Sequence, residues 1–180
     1  RREGRMTKAQ QQALVQLSKR YVIASGDMLD LGAQFARAAP RVLEIGFGMG
    51  DALAAMAQAR PEWDFLGIEV HRPGVGSLLR KLDQDDVANV RVLCADALEV
   101  LQRQLPDAFL DAVHLFFPDP WPKSRHHKRR IVQPAFAEQV RRKLKVGGRF
   151  HLATDWEDYA RYMLQVMSDA PGFRNAAGPG

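Results

Sequence analysis

Five short apolar runs alternate with helical patterns along residues 41–167, and that alternation leaves the chain few folds to adopt. Arg41–Ile45, Asp64–Glu69, Asn89–Cys94, Leu110–Phe116 and Arg149–Thr154 read as strands. Between them, Asp51–Arg60, Gly76–Gln84, Ala97–Gln104 and Ile131–Leu144 read as helices. Pro61 stops the first of these, Pro134 sits in the first turn of the last, and Gly147 with Gly148 is read as that helix's end. Trp156, Tyr159, Ala160, Met163, Leu164 and Met167 repeat at helical spacing and mark a further helix. Strand-helix alternation of this length predicts an α/β fold: a doubly wound, mostly parallel sheet with helices on both faces. Upstream, Ala9, Ala13, Leu14, Leu17 and Tyr21 share one face of a helix over Lys8–Tyr21. Residues 30–40 favour no element. The expectation is one domain over residues 1–180, with residues 1–40 as an N-terminal helical extension.

Composition narrows the class. A chain of 180 residues, 46% hydrophobic, can close one core, and two would be cramped. No apolar run approaches the ~20 residues of a membrane span, and the polar start lacks the apolar stretch of a secretory signal. Cys94 is the single cysteine, which rules out a disulfide framework and a cysteine-rich metal site. A reducing, cytoplasmic location is expected, without membrane or metal, as a monomer or homodimer. The chain has no initiator Met and stops in Gly-Pro-Gly, so one or both ends of a longer protein are expected to be absent. A net charge of +5 is a mild pointer to an acidic partner; its distribution says more.

Ligands of doubly wound sheets bind beyond the carboxyl ends of the strands, and the informative polar residues fall there. The first strand runs into Glu44, Gly46, Phe47, Gly48 and Gly50 ahead of a helix. Such a glycine turn is shared by nicotinamide, flavin and adenosylmethionine proteins. Glu44 before the turn and Asp51 after it oppose a pyrophosphate at the helix N-terminus. They suit the sulfonium and ammonium of S-adenosyl-L-methionine, although Asp51 also reads as an ordinary first-turn acid. Glu69, nineteen residues after Gly50, is placed to accept two ribose hydroxyls. Asp96 can bond an adenine amino group with Ala97 near the ring, and can equally cap the helix that starts there. The fourth strand leads into Pro118, Asp119, Pro120, Trp121, Pro122 and Lys123, where three prolines stiffen a loop that can hold a carboxylate in place.

That PDPWPK run, followed by HHKRR at 126–130, resembles the signature of the bacterial tRNA (guanine-N7-)-methyltransferase family of class I methyltransferases. The resemblance extends to Gly4–Thr7, the EIGFGMG turn at 44–50, residues 67–71, and Thr154, Asp155, Trp156 and Tyr159. It implies that Glu44, Glu69, Asp96 and Asp119 border the cofactor. It makes Asp119 the catalytic residue, Lys123 and Asp155 substrate-binding residues, and Arg125, Lys128, Arg129 and Arg130 part of an RNA-contact segment. It also implies a variable-loop guanine, position 46 of tRNA, as target. The family continues into a hairpin with a threonine-lysine-phenylalanine-glutamate type segment, for which no counterpart follows Gly172.

The implied chemistry asks little of the protein beyond placement. Guanine N7 carries a free lone pair and no proton, so direct displacement at the methyl needs no obligatory base. Asp119 is therefore expected to clamp guanine N1–H and the 2-amino group and to stabilise the developing cation. Because N7 lies in the deep groove of A-form RNA, the base must come from a loop or be turned out. Trp121, Trp156 or Tyr159 can stack on it, with the helical stripe favouring a core role for the last two. A second basic run, Arg141, Arg142, Lys143 and Lys145, is explained by a helix end. Thr154 and Glu157 read as a capping box, with Asp155 in the first turn. Rival readings are an NAD(P)-dependent oxidoreductase, which the glycine turn and Glu69 would also serve, and a non-catalytic RNA-binding module.

Overall fold

The computed structural model describes residues 5–24, 26 and 28–178; Gly4 of the N-terminal motif lies outside them. Strands β1 (Arg41–Ile45), β2 (Asp64–Ile68), β3 (Val90–Leu93), β4 (Leu110–Phe116) and β5 (Leu144–Ala153) form a parallel sheet in the order β3-β2-β1-β4-β5. The chain steps outward from β1 to β3, then crosses back to lay β4 against the other side of β1. That reversal opens a crevice between the carboxyl ends of β1 and β4, where a doubly wound sheet takes its ligand.

Helices cover both faces. On one, α1 (Lys8–Tyr21), α3 (Asp51–Ala59) and α4 (Arg72–Gln84) enclose Val42, Phe65, Val90 and Val92 with Leu53, Val75, Leu78 and Tyr21. On the other, α5 (Ala97–Arg103), α6 (Pro134–Lys143) and α7 (Glu157–Asp169) pack Leu101, Phe136, Val140, Tyr159 and Met163 against Leu43, Ile45, Val113 and Leu115. The helix expected over 8–21 is therefore part of the core, where Ala13 and Tyr21 are buried. Thr7 caps it in a reciprocal box with Gln10. A short α2 (Leu31–Phe35) fills the stretch that the sequence left open.

Several boundaries differ from the sequence reading, each for a local reason. Helix α4 begins at Arg72, four residues earlier than expected, because Pro73 fits a first turn. Its internal glycines serve close packing: a Cβ on Gly74 would lie 2.1 Å from the Gly48 carbonyl oxygen, and one on Gly76 would lie 2.7 Å from that of Gln10. Helix α6 starts at Pro134 itself, since the residue before a proline is driven to extended backbone, as Gln133 is. Gly147 and Gly148 do not end that helix. Strand β5 begins at once at Leu144 opposite Leu110, and the register then jumps to Ala112 opposite Arg149, with Gly147 taking the left-handed backbone of the bulge.

The expected capping box at 154–157 does not form. Trp156 is the N-cap of α7, the Thr154 hydroxyl accepts from its N–H at 3.2 Å, and Glu157 pairs with Arg161 instead. Asp155 consequently sits in the loop before α7. Trp156 leaves the apolar stripe and is 43% exposed, whereas Tyr159 is fully buried.

Candidate active site

The turn after β1 is locked to β2. Gly46 N–H donates to the Ile68 carbonyl at 2.8 Å, and Gly50 N–H closes onto the Phe47 carbonyl at 2.9 Å. Gly46 and Gly48 have positive φ with open space where a side chain would stand, so the backbone there faces outward and admits close approach. Phe47 points the other way. Its buried ring lies over Gly67, so only its backbone faces the expected ligand. Both oxygens of Glu69 accept from this region, one from Gly48 N–H and one from His71 N–H, each at 2.9 Å. Glu69 thus braces the glycine turn, and each oxygen keeps a second lone pair for a hydroxyl.

Glu44 carries the strongest chemical signal. It lies one residue before the end of β1, between Gly67 and His114 in register, and is 3% exposed. Its Oε2 is buried without a hydrogen-bond partner among the described residues. Burial pushes its carboxyl up to about 7. A buried acceptor left unsatisfied is costly, and a cation or donor arriving in the crevice would relieve it. The ammonium of S-adenosylmethionine fits that requirement, whereas a pyrophosphate would aggravate it.

Asp96 caps α5, accepting from Leu98 and Glu99 N–H at 2.9 and 3.2 Å through one oxygen, with Ala97 half-buried beside it. Asp51 pairs with Lys81 at 2.7 Å, as an ordinary first-turn acid would.

After β4 the chain alternates prolines with two residues in left-handed backbone, Phe117 at φ 50° and Trp121 at φ 45°. Such backbone is costly for bulky side chains and marks a segment held in shape by its surroundings. Phe117 N–H is tied to the Ala153 carbonyl at 2.8 Å, which joins the ends of β4 and β5. Asp119 is exposed within this stretch, and Lys123 and Asp155 are exposed nearby in sequence to it and to β5.

A 3-10 helix, Ser124–Arg129, follows and presents Arg125, Lys128 and Arg129 at the surface. Arg129 stands over the Trp121 ring at 5.0 Å, and His126 meets the same ring edge-on. Trp121 is therefore packed by its own loop. Arg130 departs from the expected set: it is 3% exposed, and its guanidinium is consumed inside the protein. Among the described residues, no group of histidine, cysteine or acidic side chains could hold a metal ion, and no helix is long and apolar enough to cross a membrane.

Sequence reasoning missed two features. Met49, Val70, Leu98, Phe117 and Trp156 are exposed apolar residues, one beyond the carboxyl end of each strand in turn. Phe117, 65% exposed beside a proline, was legible only as one more apolar residue. In addition, His114 and His151 share a row of the sheet with Glu44, and His114 stacks on Phe116. Burial, with His151 alongside, lowers the His114 imidazole to about 4. A histidine inside an apolar strand was the available signal.

A cavity of about 490 Å³ opens at the opposite end, near the amino ends of β2 and β3. Most of its buried polar atoms are already engaged: Arg37 holds Asp64 and the Pro61 and Trp63 carbonyls, and Asn89 donates to the Trp63 carbonyl and to those of Ala57 and Arg60. That leaves Asp64 Oδ2 as its one buried side-chain polar atom without a partner among the described residues. The crevice at the carboxyl ends is the better candidate.

Solved structures share this fold. An O-methyltransferase from Thermotoga maritima, described as SAM-dependent, matches 82% of this chain and 52% of its own at 16% identity, with a TM-score of 0.58. A precorrin-6y C5,15-methyltransferase from Geobacter metallireducens matches 76% and 65% at 20% identity, with a TM-score of 0.57. A family model described as putative methyltransferase covers residues 38–178. The family model makes the chain a methyltransferase by class, on a fold that these two solved methyltransferases share. Two curated relatives narrow it further. The tRNA (guanine-N(7)-)-methyltransferase of Edwardsiella ictaluri is 60% identical over 97% of this chain and 74% of its own, and that of Stutzerimonas stutzeri 61% over 99% and 76%. The chain belongs to the tRNA (guanine-N(7)-)-methyltransferase family.

Proposed function

We infer that this chain transfers a methyl group from S-adenosyl-L-methionine to N7 of a guanine in tRNA, a cytoplasmic tRNA-processing modification, with the variable-loop guanine as target. The observation that carries the reading is Glu44: a buried carboxylate oxygen without a partner at the switch point, beside an outward-facing glycine turn. We take residues 1–180 as one such domain, with residues 1–40 as its helical extension. All the residues invoked lie on one chain, so a monomer suffices for the chemistry and a homodimer would carry two sites.

When bound, S-adenosylmethionine supplies an electrophilic methyl on a cationic sulfur. Glu44 takes the ammonium, the Glu69 carboxylate takes ribose hydroxyls through its remaining lone pairs, and Asp96 with Ala97 borders the adenine. The lone pair of guanine N7 forms the new bond to carbon while the carbon–sulfur pair stays on sulfur, and no proton has to move. Asp119 is the catalytic residue in this reading. It clamps the guanine through N1–H and the 2-amino group and lies close to the charge that develops on the ring. Lys123 and Asp155 complete the substrate side. Arg125, Lys128 and Arg129 neutralise phosphates, RNA binding that is independent of sequence. Phe117 and Trp156 offer exposed aromatic faces for a base turned out of its stack.

The test is methyl transfer to unmodified tRNA from labelled cofactor, with nucleoside analysis of the product. N7-methylguanosine is expected. Asp119→Asn is expected to keep cofactor binding and lose about 10²–10³-fold in turnover. Near-normal turnover of that variant would remove Asp119 from the mechanism, and no cofactor binding by the unaltered chain would undo the reading.

A further inference from the structure

Arg130 ends a basic run whose other exposed members suit RNA, yet its own side chain is among the most buried charges in the molecule. Its Nε donates to the Pro120 carbonyl at 2.9 Å. Its Nη2 donates to the carboxylate of Asp158, in the first turn of α7, and lies 3.1 Å from His127 Nε2. The guanidinium carbon Cζ lies 4.7 Å from the centre of the Tyr159 ring and 5.4 Å from that of Tyr162. Those tyrosines are fixed in turn. The Tyr159 hydroxyl accepts from Val132 N–H at 3.3 Å, and the Tyr162 hydroxyl donates to Gln133 Oε1 at 2.6 Å. Gln133 Nε2 reaches back to the Arg130 carbonyl at 3.2 Å.

Pro120 immediately follows Asp119, and Asp158 lies three residues beyond Asp155. One buried cation therefore ties the segment that carries the first acid to the helix entered from the second. Planarity matters here. A fork that donates along Nε and Nη2 with its central carbon near two aromatic rings is a geometry that lysine cannot reproduce.

We propose that Arg130 is a positioning residue for Asp119, a tether between the Pro120 carbonyl and α7, and does not contact RNA. The proposal rests on the methyltransferase reading above. It predicts a different signature from that of a phosphate contact, for which lysine would largely substitute for arginine and the loss would fall on tRNA affinity.

Arg130→Lys and Arg130→Ala, made in the full chain, separate the two. For the tether, both variants lose about 10²-fold in kcat, because a misplacement of the order of an ångström costs that much. Their KM for tRNA, the salt dependence of tRNA binding and the affinity for S-adenosylmethionine stay at the unaltered values. Asp158→Asn, which changes the exposed side of the tether, lowers kcat in the same direction without changing the salt dependence. Amide exchange at Trp121 and Lys123 rises in Arg130→Lys while that of β4 is unchanged. A kcat preserved in Arg130→Lys, with a raised KM and a shallower salt slope in Arg130→Ala, would overturn the proposal. Unchanged loop exchange would overturn it as well. Should Arg130→Ala fail to bind cofactor, Arg130→Lys and Asp158→Asn decide by the same readings. If the unaltered chain transfers no methyl group, the functional reading fails, while the exchange measurement still judges the tether by itself.

Discussion

Residues 123–130 and 141–145 carry similar positive charge, and the fold treats the two runs in opposite ways. In the second, every cation has an acid within the protein. Arg141 pairs with Glu138, Arg142 and Lys143 with Asp107, and Lys145 with Asp111, at 2.6 to 2.8 Å. Lys143 is buried and also holds the Leu105 carbonyl at 2.8 Å, locking α6 to the turn before β4. In the first run only Arg130 has been drawn inside. Lys123, Arg125, Lys128 and Arg129 make no ion pair with a carboxylate among the described residues. Charge already neutralised by the fold is structural. Charge left over beside the crevice is available to a polyanion.

The largest effect on tRNA binding should come from removing that surplus. Arg125→Gln, Lys128→Gln and Arg129→Gln combined should weaken tRNA binding by about 10²-fold at low salt. The slope of log K against log salt should become shallower by about 2–3 units, one cation per phosphate released. Filter binding across a salt series reads both, and unchanged cofactor affinity shows that the crevice survives. An unaltered slope would break the contrast, since the surplus charge would then be merely solvated.

How much of this contrast the sequence could disclose depends on which physics decides each residue. Strand-helix alternation gave the parallel sheet because period-2 and period-3.6 burial are local patterns. The acids at strand ends were legible because topology places every strand end on one rim. Trp156 was misassigned because helical spacing alone does not say where a helix begins, and here the N-cap falls on that residue. Arg130 was grouped with its neighbours because nothing in HHKRR reveals that two tyrosines and an aspartate some thirty residues away will enclose one of its cations. The unpaired oxygen of Glu44 is likewise a tertiary fact, although the position of Glu44 was not.

Glu44 extends the comparison to negative charge, as an acid that the fold has buried without satisfying. Its raised carboxyl makes the sign of the pH dependence definite. In the free protein the neutral form is favoured, so its contribution to stability is present at low pH and fades as pH rises from the ordinary carboxylate range to about 7. His114, lowered to about 4, acts oppositely: its contribution is present above the ordinary imidazole value and is lost on acidification toward 4. Over the shared interval the two slopes offset each other. In the proposed function, by contrast, cofactor binding draws on the Glu44 carboxylate. Affinity for S-adenosylmethionine should therefore rise about tenfold between about pH 6 and pH 8, with a proton released on binding. Calorimetry in two buffers of different ionisation enthalpy measures both. Glu44→Gln should bind weakly at every pH, and a pH-independent affinity in the unaltered chain would mean that Glu44 does not meet the cofactor's ammonium.

The smallest effect is expected where the fold has already balanced its charge. Arg142 is half exposed and shares Asp107 with Lys143, so Arg142→Gln leaves that acid paired. Exposed ion pairs contribute little after side-chain entropy and screening, so stability should change by less than about 1 kcal/mol. The tRNA affinity and its salt slope should not move, because the cation removed was neutralised by its own protein before any phosphate arrived. Thermal melts and the same salt series test both statements. A slope shallower by about one unit would show that RNA competes successfully with Asp107 for Arg142. In that case proximity to the crevice, and not pairing inside the fold, would be what separates the two basic runs.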